Sequence, residues 1–383
     1  MARSAIGFAE VARSFNQLSV ARVADALAAD NPLYNGILFL SAGEARAAFD
    51  LLSGEVHASA MSVLLDDSHF VRDAANERLR AAFAGVGAVT TPVMAYGPQG
   101  FEPASATSDK PVFWASGFGA WGRLDGDGNA ARIDRSVGGF FIGADALVAD
   151  TWRLGVMGGY SSTSFDVDDR WSSGSSDNYH LAAYAGRQWE ALGFRTGIAY
   201  SWNRLETDRN VVVDDFADFL SAKYNAGTFQ AFGELGYRLD AGAASFEPYA
   251  NLAYVRVNAD SFSERGGAAA LHGQDPSLDT AFSTLGIRAS SSFQLGAMSS
   301  TAHGGIGWRH AYGDITPIST VAFAGGSVPF AVAGTPIAED AALVEAGLDM
   351  QVLDRTTMGI AYQGQLASDA QEHGLNARLS VQF

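Results

Sequence analysis

The last nine residues of the chain alternate without a break. Leu375, Ala377, Leu379, Val381 and Phe383 fall on one side of an extended backbone; Asn376, Arg378, Ser380 and Gln382 fall on the other. The same period of two runs back to Pro111. Thr228, Gln230, Phe232, Glu234, Gly236 and Arg238 alternate with Phe229, Ala231, Gly233, Leu235, Tyr237 and Leu239. Glu247, Tyr249 and Asn251 oppose Pro248, Ala250, Leu252 and Tyr254, and Glu345, Gly347, Asp349 and Gln351 oppose Val344, Ala346, Leu348, Met350 and Val352. These patterns predict strands near 111–124, 132–149, 152–167, 175–190, 192–208, 220–240, 245–261, 279–295, 299–313, 340–353, 356–367 and 374–383. Short turns such as Asp150–Thr151, Glu190–Ala191 and Asp354–Arg355 alternate with longer loops, up to the Gly- and Pro-rich 314–339. This is the pattern of an all-β membrane barrel of about 12 antiparallel strands. Proline agrees, because only Pro248 falls inside a predicted strand beyond its first residue.

Before residue 86 the rhythm changes to that of helices. Phe8, Val11, Phe15 and Leu18 form one stripe; Val20, Val23 and Leu27 form a second, with Ser19 as its expected cap and Asn31–Pro32 as its stop. Ser41 with Glu44 makes a capping box for a helix ending at Gly54. A further helix is predicted from Ser68 to Phe83, with Val71, Ala75, Leu79 and Ala82 on one face. Residues 86–110, with Pro92, Pro98 and Pro103, read as a linker that competes with the 68–83 helix to fill the pore, the helix being favoured because about 24 Å of it matches the apolar band. The expected division is therefore a helical junction at 1–66, a pore helix and linker at 67–110, and a barrel at 111–383.

Composition narrows the setting. No run approaches the roughly 20 apolar residues of a membrane helix; the nearest, Val137–Asp150, is broken by Asp145. A net charge of −17 argues against nucleic acid as a partner, and the absence of cysteine excludes disulfides and thiolate metal sites. A soluble sandwich would bury Phe229, Leu235, Trp308 and Phe383. Against it stands the other face, where Gly117, Gly119, Gly197, Gly236, Gly305 and Gly307 mix with Arg195, Arg238, Arg288, Arg309, Glu234, Glu247 and Glu345. Small residues beside charges suit a hydrated lumen with something threaded through it. Glu234, Arg238, Glu247, Glu345, Asp349 and Arg309 are the expected lumen-facing residues, with Arg72, Ala75, Arg78 and Leu79 on the threading helix. Arg72, Arg78 and Arg80 are expected to meet Glu234, Glu247, Glu345 or Asp349. On the same map, Arg should be costly at Leu235 and tolerated at Gln230.

Motifs for chemistry are weak. Gly117–Gly122 spells G-x-G-x-x-G in mid-strand, without the following helix a dinucleotide site needs. Asp125–Asn129 lacks the spacing of a calcium loop. His303 and His310 point to opposite faces, and Glu345 and Asp349 lie roughly 13 Å apart along a strand. No catalytic residue, metal site or cofactor is expected.

The segments Asn31–Phe83, Phe113–Asn129 and the terminal "ARLSVQF" together resemble the C-terminal translocator of bacterial autotransporters, type V secretion, over about residues 15–383. The resemblance implies a twelve-stranded outer-membrane pore that exports its own N-terminal passenger, unfolded, and works as a monomer in outer-membrane lipid. It also implies that Phe383, with Val381 and Leu379, is the signal read by the outer-membrane barrel assembly machinery. Some members cut themselves at paired asparagines inside the pore; here Asn76 stands alone. Met1 is followed by no signal-cleavage pattern, so a fragment is expected. The competing expectation is a general porin or adhesion barrel plugged by its N-terminal helices.

Overall fold

A computed structural model of the chain describes residues 7–88, 93–97, 100–296, 298–353 and 356–381. Twelve antiparallel strands form the barrel: β1 Val112–Leu124, β2 Ile133–Val148, β3 Trp152–Val167, β4 Ser172–Trp189, β5 Leu192–Val213, β6 Phe216–Tyr237, β7 Ala244–Ala259, β8 Ser277–Leu295, β9 Met298–Gly313, β10 Asp340–Leu353, β11 Thr356–Leu366 and β12 Ala370–Val381. Each pairs with its neighbour in sequence, and β12 closes on β1 from Ala370↔Leu124 to Gly374↔Ala120. No edge is left among these strands, which is how a sheet survives in lipid. Phe383 lies outside the described residues, as do the side chains of Leu379 and Val381.

Burial is inverted relative to a soluble protein. Leu252, Ile198 and Leu285 are exposed on the outer wall, while Gln230, Glu234 and Arg195 are buried inside. On β5 the apolar band runs from Leu192, next to Trp189, to Trp202; a membrane strand needs about 9–11 residues. Tyr179, Trp202, Tyr254 and Trp308 continue an aromatic girdle at the far end, and Trp152, Trp189 and Tyr237 lie at the short-turn end.

Beyond Trp202 the alternation continues but the faces exchange chemistry. Outward positions become Arg204, Glu206 and Asp208, and inward positions become Leu205, Val211 and Val213. The expected loop at 209–219 is therefore strand: β5 and β6 have 22 residues each and meet at a two-residue turn. Its Asp-rich sequence reads as loop only if the lipid-facing rule is carried above the membrane. The long-loop rim is also less uniform than expected, since Asp214–Asp215 and 367–369 are short. A small sheet of Phe262–Ser263, Leu271–Gly273, Ile318–Phe323 and Phe330–Ala333 caps this extension.

The helices are α1 Phe15–Asp25, α2 Pro32–Leu38, α3 Ala42–Ser53, α4 Glu55–Asp67 and α5 His69–Ala82. Ser14, rather than Ser19, caps α1, and Asn31 does not merely stop a helix but caps α2, with Pro32 in its first turn. The capping box of Ser41 and Glu44 is present on α3, and Gly54 ends it at φ 65°. Helix α4 was not predicted. Every residue from Glu55 to Asp66 is buried, so no amphipathic stripe marks it. The expected linker holds a hairpin, Val93–Gly97 with Gly100–Ala104, that joins β1 at Ala95↔Val112.

Candidate functional site

The lumen is occupied by the chain itself. Only Ser68, with helical φ −58° and ψ −24°, separates the 13-residue α4 from the 14-residue α5. Together they form a rod of about 42 Å at 1.5 Å per residue, longer than an apolar band of about 25 Å. It therefore crosses the membrane and enters the extension above.

Four polar belts hold the rod. At the outer end, Glu264 accepts from Arg209 (2.6 Å) and meets His57 Nε2 (2.8 Å), while Arg209 also donates to the Leu51 carbonyl (2.8 Å). Ser62 donates to the Thr335 carbonyl (2.5 Å), and the Thr335 amide donates to Ser59 Oγ (3.0 Å). In mid-lumen Arg135 reaches Asp66 (2.6 Å), Asp67 and Glu372, and His69 bridges Asp73 (2.7 Å) and Glu372 (2.9 Å). Gln230 donates to the Ser68 carbonyl (2.9 Å) at the break between helices. Nearest the short-turn rim, Arg78 makes a two-pronged contact with Asp145 (2.6 and 2.8 Å), which also takes Arg153 and the Tyr184 hydroxyl (2.9 Å).

Packing complements these contacts. Phe70 stacks on Phe118 at 4.6 Å, Leu79 lies over Gly186, and Arg72 sits over the Phe282 ring at 5.5 Å. A Cβ at Gly186 would come within 2.8 Å of Leu79, so this glycine makes room for the helix. Ala75 is fully buried. On the opposite flank of α5 a cavity of about 140 Å³ remains, lined by Asn76, Arg80, Thr284, Arg288, Glu345 and Gln363 among others.

Several expected pairings are replaced. Among the described residues Glu234 and Glu247 form no ion pair with the helix; they are neutralised by Arg195 (2.8 and 2.9 Å) and Arg288 (2.9 and 3.2 Å) from the surrounding strands, with Arg288 over Tyr249 at 3.6 Å. Strand arginines reach these carboxylates across the sheet, whereas Arg78 points to the β2 side. Arg309 meets Asp66 at 3.4 Å, Asp349 meets His303 at 3.4 Å, and Glu345 lines the cavity. Arg238 leaves the lumen for the rim, half-exposed, where it donates to the Ala84 carbonyl (3.0 Å). Gly117 and Gly119 stand on the outer-wall parity of β1, and Phe118 between them faces the helix. Asp145, Arg135 and Glu372 were missed. The signal for the first two was present: both sit at inward parity on β2, and Asp145 is the charge that breaks an apolar run.

Helices α1 to α3 sit over the outer end. Asn16 pairs with the backbone of Ala333 through both amide atoms (2.8 Å each), and its own N–H donates to Asn129 (2.7 Å). The loop Asp125–Asn129 thus receives a helix. Asp50 accepts from Gln17 (3.0 Å), and burial pushes its carboxyl above the ordinary value.

A closed twelve-stranded barrel with a lipid-facing apolar belt and a helix through its lumen defines an outer-membrane β-barrel filled by its own N-terminal helix. The autotransporter beta-domain family model matches residues 113–363. Two extracellular serine proteases of Serratia marcescens are each 35% identical over 359 residues, 93% of this chain and 33% of their own length. The chain belongs to the autotransporter β-domain family and resides in the bacterial outer membrane. It spans about a third of the curated relatives it matches. Among solved structures, the translocator domain of NalP from Neisseria meningitidis shares the fold with a TM-score of 0.59 at 12% identity, over 84% of this chain and 99% of that one. The transport unit of AIDA-I from Escherichia coli gives 0.50 at 14% identity, over 71% and 90%.

Proposed function

We propose that this protein is the pore through which its own N-terminal passenger reaches the cell surface. The path of the chain carries the reading. From the hairpin at the short-turn rim, which is the periplasmic rim in barrels of this kind, the backbone runs through the lumen as α5 and α4. It then turns at Gly54 and ends in α1–α3 against the outer loops. A twelve-stranded lumen lies between the eight that side chains fill and the sixteen that leave a channel, so the passenger passes as an unfolded chain. The junction then comprises residues up to about 54 and the pore segment 55–85. The proteolytic activity named for the Serratia relatives is assigned to sequence outside the third that this chain matches. The working unit is a monomer, and the barrel assembly machinery reads Leu379, Val381 and Phe383.

The test places an epitope in the exposed turn Ala28–Asp30 of a chain expressed behind a signal peptide. Antibody should bind intact Gram-negative cells. Binding only after the outer membrane is opened would overturn export and favour a plugged porin.

A further inference from the structure

The outer wall carries an arginine held by aromatic rings. Arg187 stands on β4 two residues before its end at Trp189, and its parity points to lipid. Across the sheet it is registered with Trp152 on β3 and Phe194 on β5. Its guanidinium carbon lies 5.8 Å from the Trp152 ring and 5.0 Å from the Trp189 ring. The two indoles meet edge-on at 6.1 Å and 86°, and Phe194 closes the group at 6.4 and 6.5 Å. Nε is buried without a hydrogen-bond partner, and among the described residues no carboxylate pairs with this arginine, although Asp150 and Glu190 occupy the adjacent turns.

Position and chemistry both constrain what neutralises it. Arginine on a barrel's lipid face costs about 2–4 kcal/mol at the midplane but about 0–1 near the interface, and this one sits at the short-turn girdle. Two indole faces hold the guanidinium by cation–π attraction, leaving its N–H edge for an anion with two oxygens side by side, such as a phosphate. Further into the membrane the same face of β4 presents Ala185 and Ala183, registered with Leu154 and Val156 on one side and Thr196 and Ile198 on the other. Small residues between larger ones make a shallow trough that ends at Arg187.

We propose that Arg187, Trp152, Trp189 and Phe194 form a binding site for the phosphate of an anionic phospholipid in the periplasmic leaflet, with an acyl chain lying over Ala185 and Ala183. A headgroup of net negative charge neutralises the arginine, which a zwitterionic headgroup does not.

The test uses the full chain folded in nanodiscs of phosphatidylglycerol and phosphatidylcholine, followed by native mass spectrometry of retained lipid. The wild type should retain phosphatidylglycerol in preference, and Arg187→Gln should lower that retention about tenfold or more, as loss of a charge-assisted contact does, while the heat-modifiable barrel band persists. Equal retention by the folded variant would overturn the site. If Arg187→Gln does not fold, the wild type alone decides, because no preference for the anionic lipid also overturns it. Inorganic phosphate should not displace the lipid; displacement would assign the site to a free anion instead.

Discussion

At the scale of single residues, the inner face is decided by whether a buried charge has partners. Asp145 serves Arg78 and Arg153, both nearly fully buried. Asp145→Asn removes the charge and leaves two guanidiniums uncompensated, a loss expected at about 3–5 kcal/mol, read as a lower temperature for the heat-modifiable band shift. By contrast Lys223 and Glu206 pair in the open, above the girdle, and Lys223→Ala should move that temperature little, since exposed pairs contribute about 0–1 kcal/mol. The faces were legible from period two alone, but depth was not. Leu235 lies two residues from the girdle at Tyr237, so Arg there is expected to cost little, whereas Ile198, midway between Leu192 and Trp202, should cost about 2–4 kcal/mol. Gln230 holds the Ser68 carbonyl and has no open lumen before it; Gln230→Arg should destabilise the threaded state rather than be tolerated. A denaturant titration of the three variants orders these effects.

At the scale of elements, what could be read depended on how each element is surrounded. Helix α5 has one polar and one apolar face and was visible by its stripe. Helix α4 is enclosed on all sides, with Glu55, His57, Ser59, Ser62 and Asp66 each meeting a specific partner, so neither periodicity nor hydropathy marks it. The hinge between α3 and α4 was visible as a helix stop, yet its second duty, opening α4, was not. Gly54→Ala places a side chain at φ 65° and against Leu271, a strain of about 1–2 kcal/mol from backbone conformation alone. Faster proteolytic clipping of α1–α3, with the barrel intact, is the expected outcome. The depth of the rod has its own test. Thr163 donates to Asp67 at 2.7 Å, so cysteines at these two positions should cross-link with a short reagent in the folded protein, and failure to do so would place the rod at another height.

At the scale of the whole molecule, the strand map set the fold because each strand meets the same two solvents, lipid outside and a packed polar lumen inside. It failed above the girdle because there the outer solvent becomes water. Removing residues 7–82 should leave a barrel that inserts but conducts ions much more freely across a planar bilayer than the full chain; equal conductance would mean that the rod does not seal the lumen. The exchange of faces beyond Trp202 also bears on how a chain could be drawn through such a tube without nucleotide. Above the membrane the inward wall offers Val211, Val255 and Val257, and the arriving helices bring Phe49, Leu52 and Val56, all of them buried on arrival. Each side chain seated there gains roughly 1.5–3 kcal/mol that it must surrender to slip back. On the proposed route the outer vestibule thus acts as a thermal ratchet, in which random forward excursions are trapped by dry contacts and the folding of the far side supplies the direction.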